Sequence, residues 1–105
     1  MSRTHHEIEV QVQLQPGMEP QLHRYAQVKV TMALGHTGRP VLYARVRLDR
    51  IGNPAAVRPV IARAEIDLNG RVVHAEVSAD TPYEAVDLLQ DRIEARLEHE
   101  RAGHR

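Results

Sequence analysis

The stretch NGRVVHAEVSADTPYEAVDLL, residues 69–89, decides the fold, because it holds a tight turn, a strand and a helix start in immediate succession. Asn69-Gly70 is the strongest short hairpin signal: both central positions of a type I′ turn need positive φ, which Asn and Gly tolerate best. Before it, Val60, Ala62, Ala64, Ile66 and Leu68 alternate with Ile61, Arg63, Glu65 and Asp67; after it, Val73, Ala75, Val77 and Ala79 alternate with His74, Glu76 and Ser78. A period of two lines one face of each strand with apolar residues, so the two runs are predicted to be antiparallel neighbours. Thr81-Pro82-Tyr83-Glu84 then reads as a helix start, with Thr81 as cap, Pro82 at the tolerant first position and Glu84 completing a capping box. Val86, Leu89, Ile93 and Leu97 follow at i, i+3, i+7 and i+11, one apolar stripe on a helix running to about Arg101.

Upstream of the hairpin, Leu42, Ala44, Val46 and Leu48 alternate with Tyr43, Arg45, Arg47 and Asp49, behind a loop from Gly35 to Pro40. Near the start, Ile8, Val10, Val12 and Leu14 alternate with Glu7, Glu9, Gln11 and Gln13, a half-buried strand. Between Glu19 and Leu34 two periods compete. Leu22, Tyr25, Ala26 and Ala33 share a helical face, whereas Val28, Val30 and Met32 alternate with Gln27, Lys29 and Thr31 as a strand would. Periodicity leaves both open. With that segment helical, four strands and two helices make an α+β, two-layer β-α-β-β-β-α sandwich, the helices on one sheet face and water on the other.

A chain of 105 residues fits one domain, residues 1–105 with a core of about 7–101. No cysteine is present, which removes disulfides, thiolate nucleophiles and cysteine-based metal sites together. No stretch approaches the roughly 18 apolar residues of a membrane span, and the start lacks a signal-peptide core. A soluble, cytoplasmic protein with no membrane partner is expected. Fourteen basic residues cancel fourteen acidic ones, so a strongly basic nucleic-acid-binding domain is excluded and any polyanion site must be local.

The last helix separates its charges. At 100° per residue Glu84, Asp87, Asp91, Glu94 and Glu98 form an acidic stripe expected to face water, while Arg92, Arg96 and His99 flank the apolar stripe on its other side. That basic flank is either a surface for phosphates or simply solvated. Arg45 and Arg47 stand with Tyr43 on the open sheet face, Arg63 on the next strand, with Glu65, Asp67 and Glu76 diluting them. Gly35-His36-Thr37-Gly38 has the GxxG form of a KH clamp but precedes a strand instead of joining two helices. His5, His6, His23, His36, His74, His99 and His104 lack metal spacing. With two serines and no nucleophile elbow, P-loop or dinucleotide fingerprint, no enzyme, cofactor, metal or small-molecule substrate is expected.

Residues 69–101 resemble the end of the ribosome hibernation-promoting factor and ribosome-associated inhibitor family, where a hairpin strand leads into an Asp-x-x-Tyr-x-Ala-(Ile/Val)-Asp helix. Asp80, Tyr83, Ala85, Val86 and Asp87 stand at those positions, with Ala75 in the preceding strand and Arg92 at a position that is usually Lys or Arg. Upstream, Leu22, Tyr25 and Lys29 are similar to the family's first-helix skeleton, and Leu42-Tyr43-Ala44-Arg45-Val46 echoes its second strand. The resemblance implies a fold similar to double-stranded-RNA-binding domains, and a helix in the ambiguous segment. It also implies a non-enzymatic factor that binds 16S rRNA of the small ribosomal subunit in the decoding channel and silences translation under stress. The RNA contacts it implies are Lys29, Arg92 and Arg96, with Arg45 and Arg47 in second rank. Met32, Ala95 and Glu98 replace residues that are often basic or polar in the family, which implies weaker binding in a neutral chain. Longer relatives add a C-terminal dimerisation domain that this chain does not reach, and a homodimer is left open. The alternatives are a general duplex-RNA binder and a protein-interaction module using the open sheet face.

Overall fold

The computed structural model describes residues 9–52, 55 and 57–102. In chain order these form β1 (Val10–Leu14), α1 (Gln21–Leu34), β2 (Tyr43–Arg50), β3 (Val60–Asp67), β4 (Val72–Ala79) and α2 (Pro82–Ala102). The strands make one sheet of order β1-β2-β3-β4, with β1 parallel to β2 and the other pairs antiparallel. Both helices lie on one face of this sheet, α1 towards β1 and α2 over β3 and β4, and they pack against each other. This is the α+β sandwich expected.

The parallel β1–β2 pair explains why the ambiguous segment is helical. Antiparallel strands can be joined by two residues, but parallel ones need a crossover of about a dozen or more, usually an α-helix. α1 supplies it, burying Leu22, Ala26, Val30 and Ala33 while leaving Val28 and Met32 exposed. The chain turns out of β1 through Gln15-Pro16-Gly17-Met18, where Met18 N–H donates to the Gln15 carbonyl and Gly17 holds φ +97°. Proline then positive-φ glycine at the two central positions is a type II turn.

The hairpin forms as read. Asn69 and Gly70 take φ +59° and +100°, and Leu68 N–H donates to the Arg71 carbonyl across the turn. The resulting register sets Arg63 opposite Glu76 and Glu65 opposite His74. At the start of α2 the Glu84 amide donates to Thr81 Oγ1, while the Glu84 carboxylate takes the Asp80 amide, one residue before the cap. The capping box therefore closes slightly wider than its usual form.

The core is aliphatic. Ala44, Val46 and Leu48 of β2, Val60, Ala62, Ala64 and Ile66 of β3, and Val73, Ala75, Val77 and Ala79 of β4 meet Ala85, Val86, Leu89, Ile93 and Leu97 of α2. Two inward expectations differ. Leu42 is 54% exposed because it precedes β2, joining the ladder only through its amide to the Asp67 carbonyl. Val12 and Leu14 are half-buried because β1 is an edge strand with a neighbour on one flank only. The start of the first expected strand, Glu7 and Ile8, lies outside the described residues, as do His5, His6 and His104.

Candidate nucleic-acid interface

Which way each flank of α2 points is fixed by its apolar stripe. With Leu89, Ile93 and Leu97 on the sheet, the acidic stripe turns towards α1 and the basic flank towards β4, the free edge of the sheet.

The acidic flank is engaged with α1, which corrects the expectation that it simply faces water. Asp87 accepts the Tyr25 hydroxyl at 2.6 Å and pairs with Lys29 Nζ at 3.6 Å. Lys29 also lies 5.4 Å from the centre of the Tyr25 ring, and Tyr25 meets Tyr83 edge-on at 4.9 Å between centroids. Tyr83 in turn donates to Glu19. Further along the seam, His36 sits between Glu94 and Glu98 with ring nitrogens 3.5 and 3.4 Å from their carboxylates. Hydrogen bonding to Asp87 and Glu19 raises the pKa values of Tyr25 and Tyr83 above the ordinary phenolic value, because the neutral O–H is the donor.

The basic flank has a different environment. Arg92 Nη1 lies 3.4 Å from the Glu76 carbonyl of β4, and neither Arg92 nor Arg96 has a carboxylate at ion-pair distance among the described residues. Arg92 and Arg96 share a shallow depression with Arg63, His74 and Glu76, so the α2 cations continue around the β4 edge onto the open sheet face. Arg63 and His74 also line the larger concavity of that face, together with Arg45 and Arg47. On the other side of Arg92, a third depression reaches Arg58 and is lined also by the acid Asp91, which does not join the α1 seam.

Within this band the pairing is uneven. Arg47 is held by Asp49 at 2.8 Å and Arg63 by Glu76 at 3.0 Å, both exposed pairs of the kind worth about 0–1 kcal/mol. Arg45 has no such partner among the described residues; its guanidinium lies over the Tyr43 ring, 4.7 Å from the centroid. The carboxylate opposite, Glu65, accepts the Tyr43 hydroxyl at 2.7 Å, and that bond raises the Tyr43 pKa.

Of the five residues singled out in the sequence, Arg92 and Arg96 lie on the β4 flank of α2 and Arg45 and Arg47 on the open sheet face, the two pairs linked around the β4 edge by Arg63 and His74. Lys29 does not join them; it stands at the helix–helix seam, tied to Asp87. Arg63, which stands among acidic neighbours in the sequence, and His74, which no motif marks, join the interface. The Asn69-Gly70 hairpin register places both on the open face, so the signal was present. Among the described residues no group of three or more metal-binding side chains converges, and no helix is long and apolar enough to cross a membrane.

The family model described as Sigma 54 modulation protein / S30EA ribosomal protein matches residues 1–104. Among solved structures, the chain is similar to a ribosomal subunit interface protein from Coxiella burnetii, with TM-score 0.66 and 21% identity over 89% of this chain and 97% of that one. It is similar also to the N-terminal domain of Thermus thermophilus Protein Y, with TM-score 0.66 and 20% identity over 90% and 98%. At that identity the likeness is one of fold. A search of curated protein sequences returns no match.

Proposed function

From the premise that this chain belongs to the Sigma 54 modulation protein / S30EA ribosomal protein family, the family of ribosome hibernation factors, we propose that it is a cytoplasmic, non-enzymatic, ribosome-associated factor. In this reading residues 1–105 act as one domain that binds 16S rRNA of the small subunit at the decoding channel and inhibits translation during stress or dormancy. No cofactor, metal or small-molecule substrate takes part.

The observation that carries the reading is the continuous arginine band. Arg92 and Arg96 supply guanidinium groups without a carboxylate at ion-pair distance among the described residues, and Arg63, Arg45 and Arg47 extend them over the β4 edge and across the sheet. Arg is suited to phosphate because its planar fork donates two parallel hydrogen bonds. A zero net charge does not oppose this, since much of the α2 acid is spent on Tyr25, Lys29 and His36 at the opposite flank. Lys29 contributes less than the arginines, because it must leave Asp87 before it can meet a phosphate.

Sedimentation of the purified protein through sucrose gradients with 30S and 70S particles tests the reading. Recovery with the particles at low salt, lost as salt rises, is the expected result. Recovery only at the top of the gradient at low salt rejects it, and equal affinity for naked RNA duplex and for ribosomes favours a general duplex binder instead.

A further inference from the structure

The open face of the sheet carries a concavity of about 550 Å³, within the roughly 300–1,000 Å³ range of small-molecule sites. Its floor is backbone at Val12, Val46 and Ala64, whose side chains point to the core, and its walls include Gln11 and Gln13 of β1, Arg45 and Arg47 of β2, and Arg63 of β3. We propose that this concavity receives one unpaired base of a single-stranded RNA segment, stacked on the Arg45 guanidinium, while the flanking phosphates run over the β4 edge to Arg96 and Arg92. The proposal deepens the reading above and rests only on its RNA-binding part.

Four observations point to a base. Arg45 is planar and has no carboxylate at ion-pair distance among the described residues, and Tyr43, which is not part of the concavity wall, lies 4.7 Å from it. A planar guanidinium that lines the concavity and lies beside an aromatic ring is a group on which a base can stack. Gln11 and Gln13 are exposed and their amides have no side-chain partner among the described residues, so donor and acceptor pairs are available to base edges. Glu65 also lines the concavity, and its negative charge disfavours a phosphate there while suiting an exocyclic amine. Finally, the free cations lie outside the concavity on its β4 side, sharing Arg63 and His74 with it, so a chain with a base in the concavity has its backbone beside Arg96 and Arg92. The stiff phosphate ridges of a duplex cannot bring a base face into this space.

Fluorescence anisotropy with labelled hexaadenylate, and with a self-complementary RNA hairpin as the duplex probe, tests the assignment on the full chain. Wild type is expected to prefer the single strand. Arg45→Lys keeps the charge and removes the plane, and is expected to lose about tenfold in single-strand affinity with an unchanged salt slope and unchanged duplex binding. Gln11→Ala/Gln13→Ala is expected to shift the single-strand affinity in the same direction, and a thermal melt verifies that each variant is folded. Hexaadenylate binding that is absent, or equal in wild type and Arg45→Lys, overturns the proposal, as does tighter binding to the duplex. Sedimentation with 30S particles separates the two readings. Particles bound with Arg45→Lys indistinguishable from wild type on hexaadenylate sink the base site alone; Arg45-dependent hexaadenylate binding without sedimentation sinks the ribosome reading alone.

Discussion

The two flanks of α2 start from the same helix and end in opposite electrostatic states. On the α1 side, Asp87, Glu94 and Glu98 are matched with Lys29 and His36, and Asp87 also accepts the Tyr25 hydroxyl. On the β4 side, Arg92 and Arg96 have no carboxylate at ion-pair distance among the described residues and share a depression with Arg63, His74 and Glu76 that leads to the open sheet face. The difference shows how a chain of zero net charge can present a local cationic surface. Three of the α2 acids are engaged where the two helices meet. Arg92 and Arg96 have no such partner among the described residues, although Arg47 and Arg63 beyond them are paired with Asp49 and Glu76. Charge at the seam stabilises packing, and charge at the edge is available to a partner. Arg92, from α2, also donates to the Glu76 carbonyl of the edge strand β4.

The largest expected effect comes from reversing the edge. Arg92→Glu/Arg96→Glu should weaken binding to 30S particles by about 100-fold or more, close to 2.7 kcal/mol, while the melting temperature stays near that of wild type because neither side chain is buried. A melt that collapses instead would place these arginines with the seam and erase the distinction. Next comes Asp87→Ala, which removes the acceptor of Tyr25 and the partner of Lys29 and should cost about 1–2 kcal/mol of folding stability in urea denaturation. The same change frees Lys29, so RNA affinity should rise and not fall. Lys29→Ala is smaller on both counts: an exposed ion pair is worth about 0–1 kcal/mol, and binding to 30S particles should stay within about twofold of wild type.

The smallest effect is alkaline. Hydrogen bonds to carboxylates raise the pKa values of Tyr25, Tyr43 and Tyr83, so the folded state favours their protonated form. That contribution is fully present below the ordinary phenolic value of about 10 and is lost as pH rises through the higher folded values. An ultraviolet titration of the folded protein should show all three tyrosines ionising late, with stability falling over that window. In Asp87→Ala the Tyr25 shift should shrink, because its hydrogen bond is lost while burial and Tyr83 still raise it, and the Tyr43 shift should remain.

Much of this fold is legible in the sequence, for reasons that can be named. Alternation is a strong signal wherever one face of a strand is buried, and β3 and β4 carry it on both sides of a turn that only Asn-Gly chemistry explains. α1 was not legible from its own period, because Val28, Val30 and Met32 mimic a strand; what makes it helical is the parallel β1–β2 pairing, a tertiary fact. The site divides in the same way. Arg92 and Arg96 follow from the angular arithmetic of one helix. Their continuity with Arg63 and Arg45 depends on which flank of that helix faces β4, and the neutralisation of Lys29 on a contact between residues 58 positions apart; neither is written in any single element.

The salt dependence of binding to 30S particles tests the central claim most directly, because each phosphate contact removed lowers the slope of log affinity against log salt by about 0.7–0.9. The account predicts that Arg92→Ala/Arg96→Ala flattens the slope by roughly 1.4–1.8 while Lys29→Ala leaves it unchanged. A slope untouched by loss of the two arginines but flattened by loss of Lys29 would contradict it, and would move the RNA surface from the β4 edge to the helix seam.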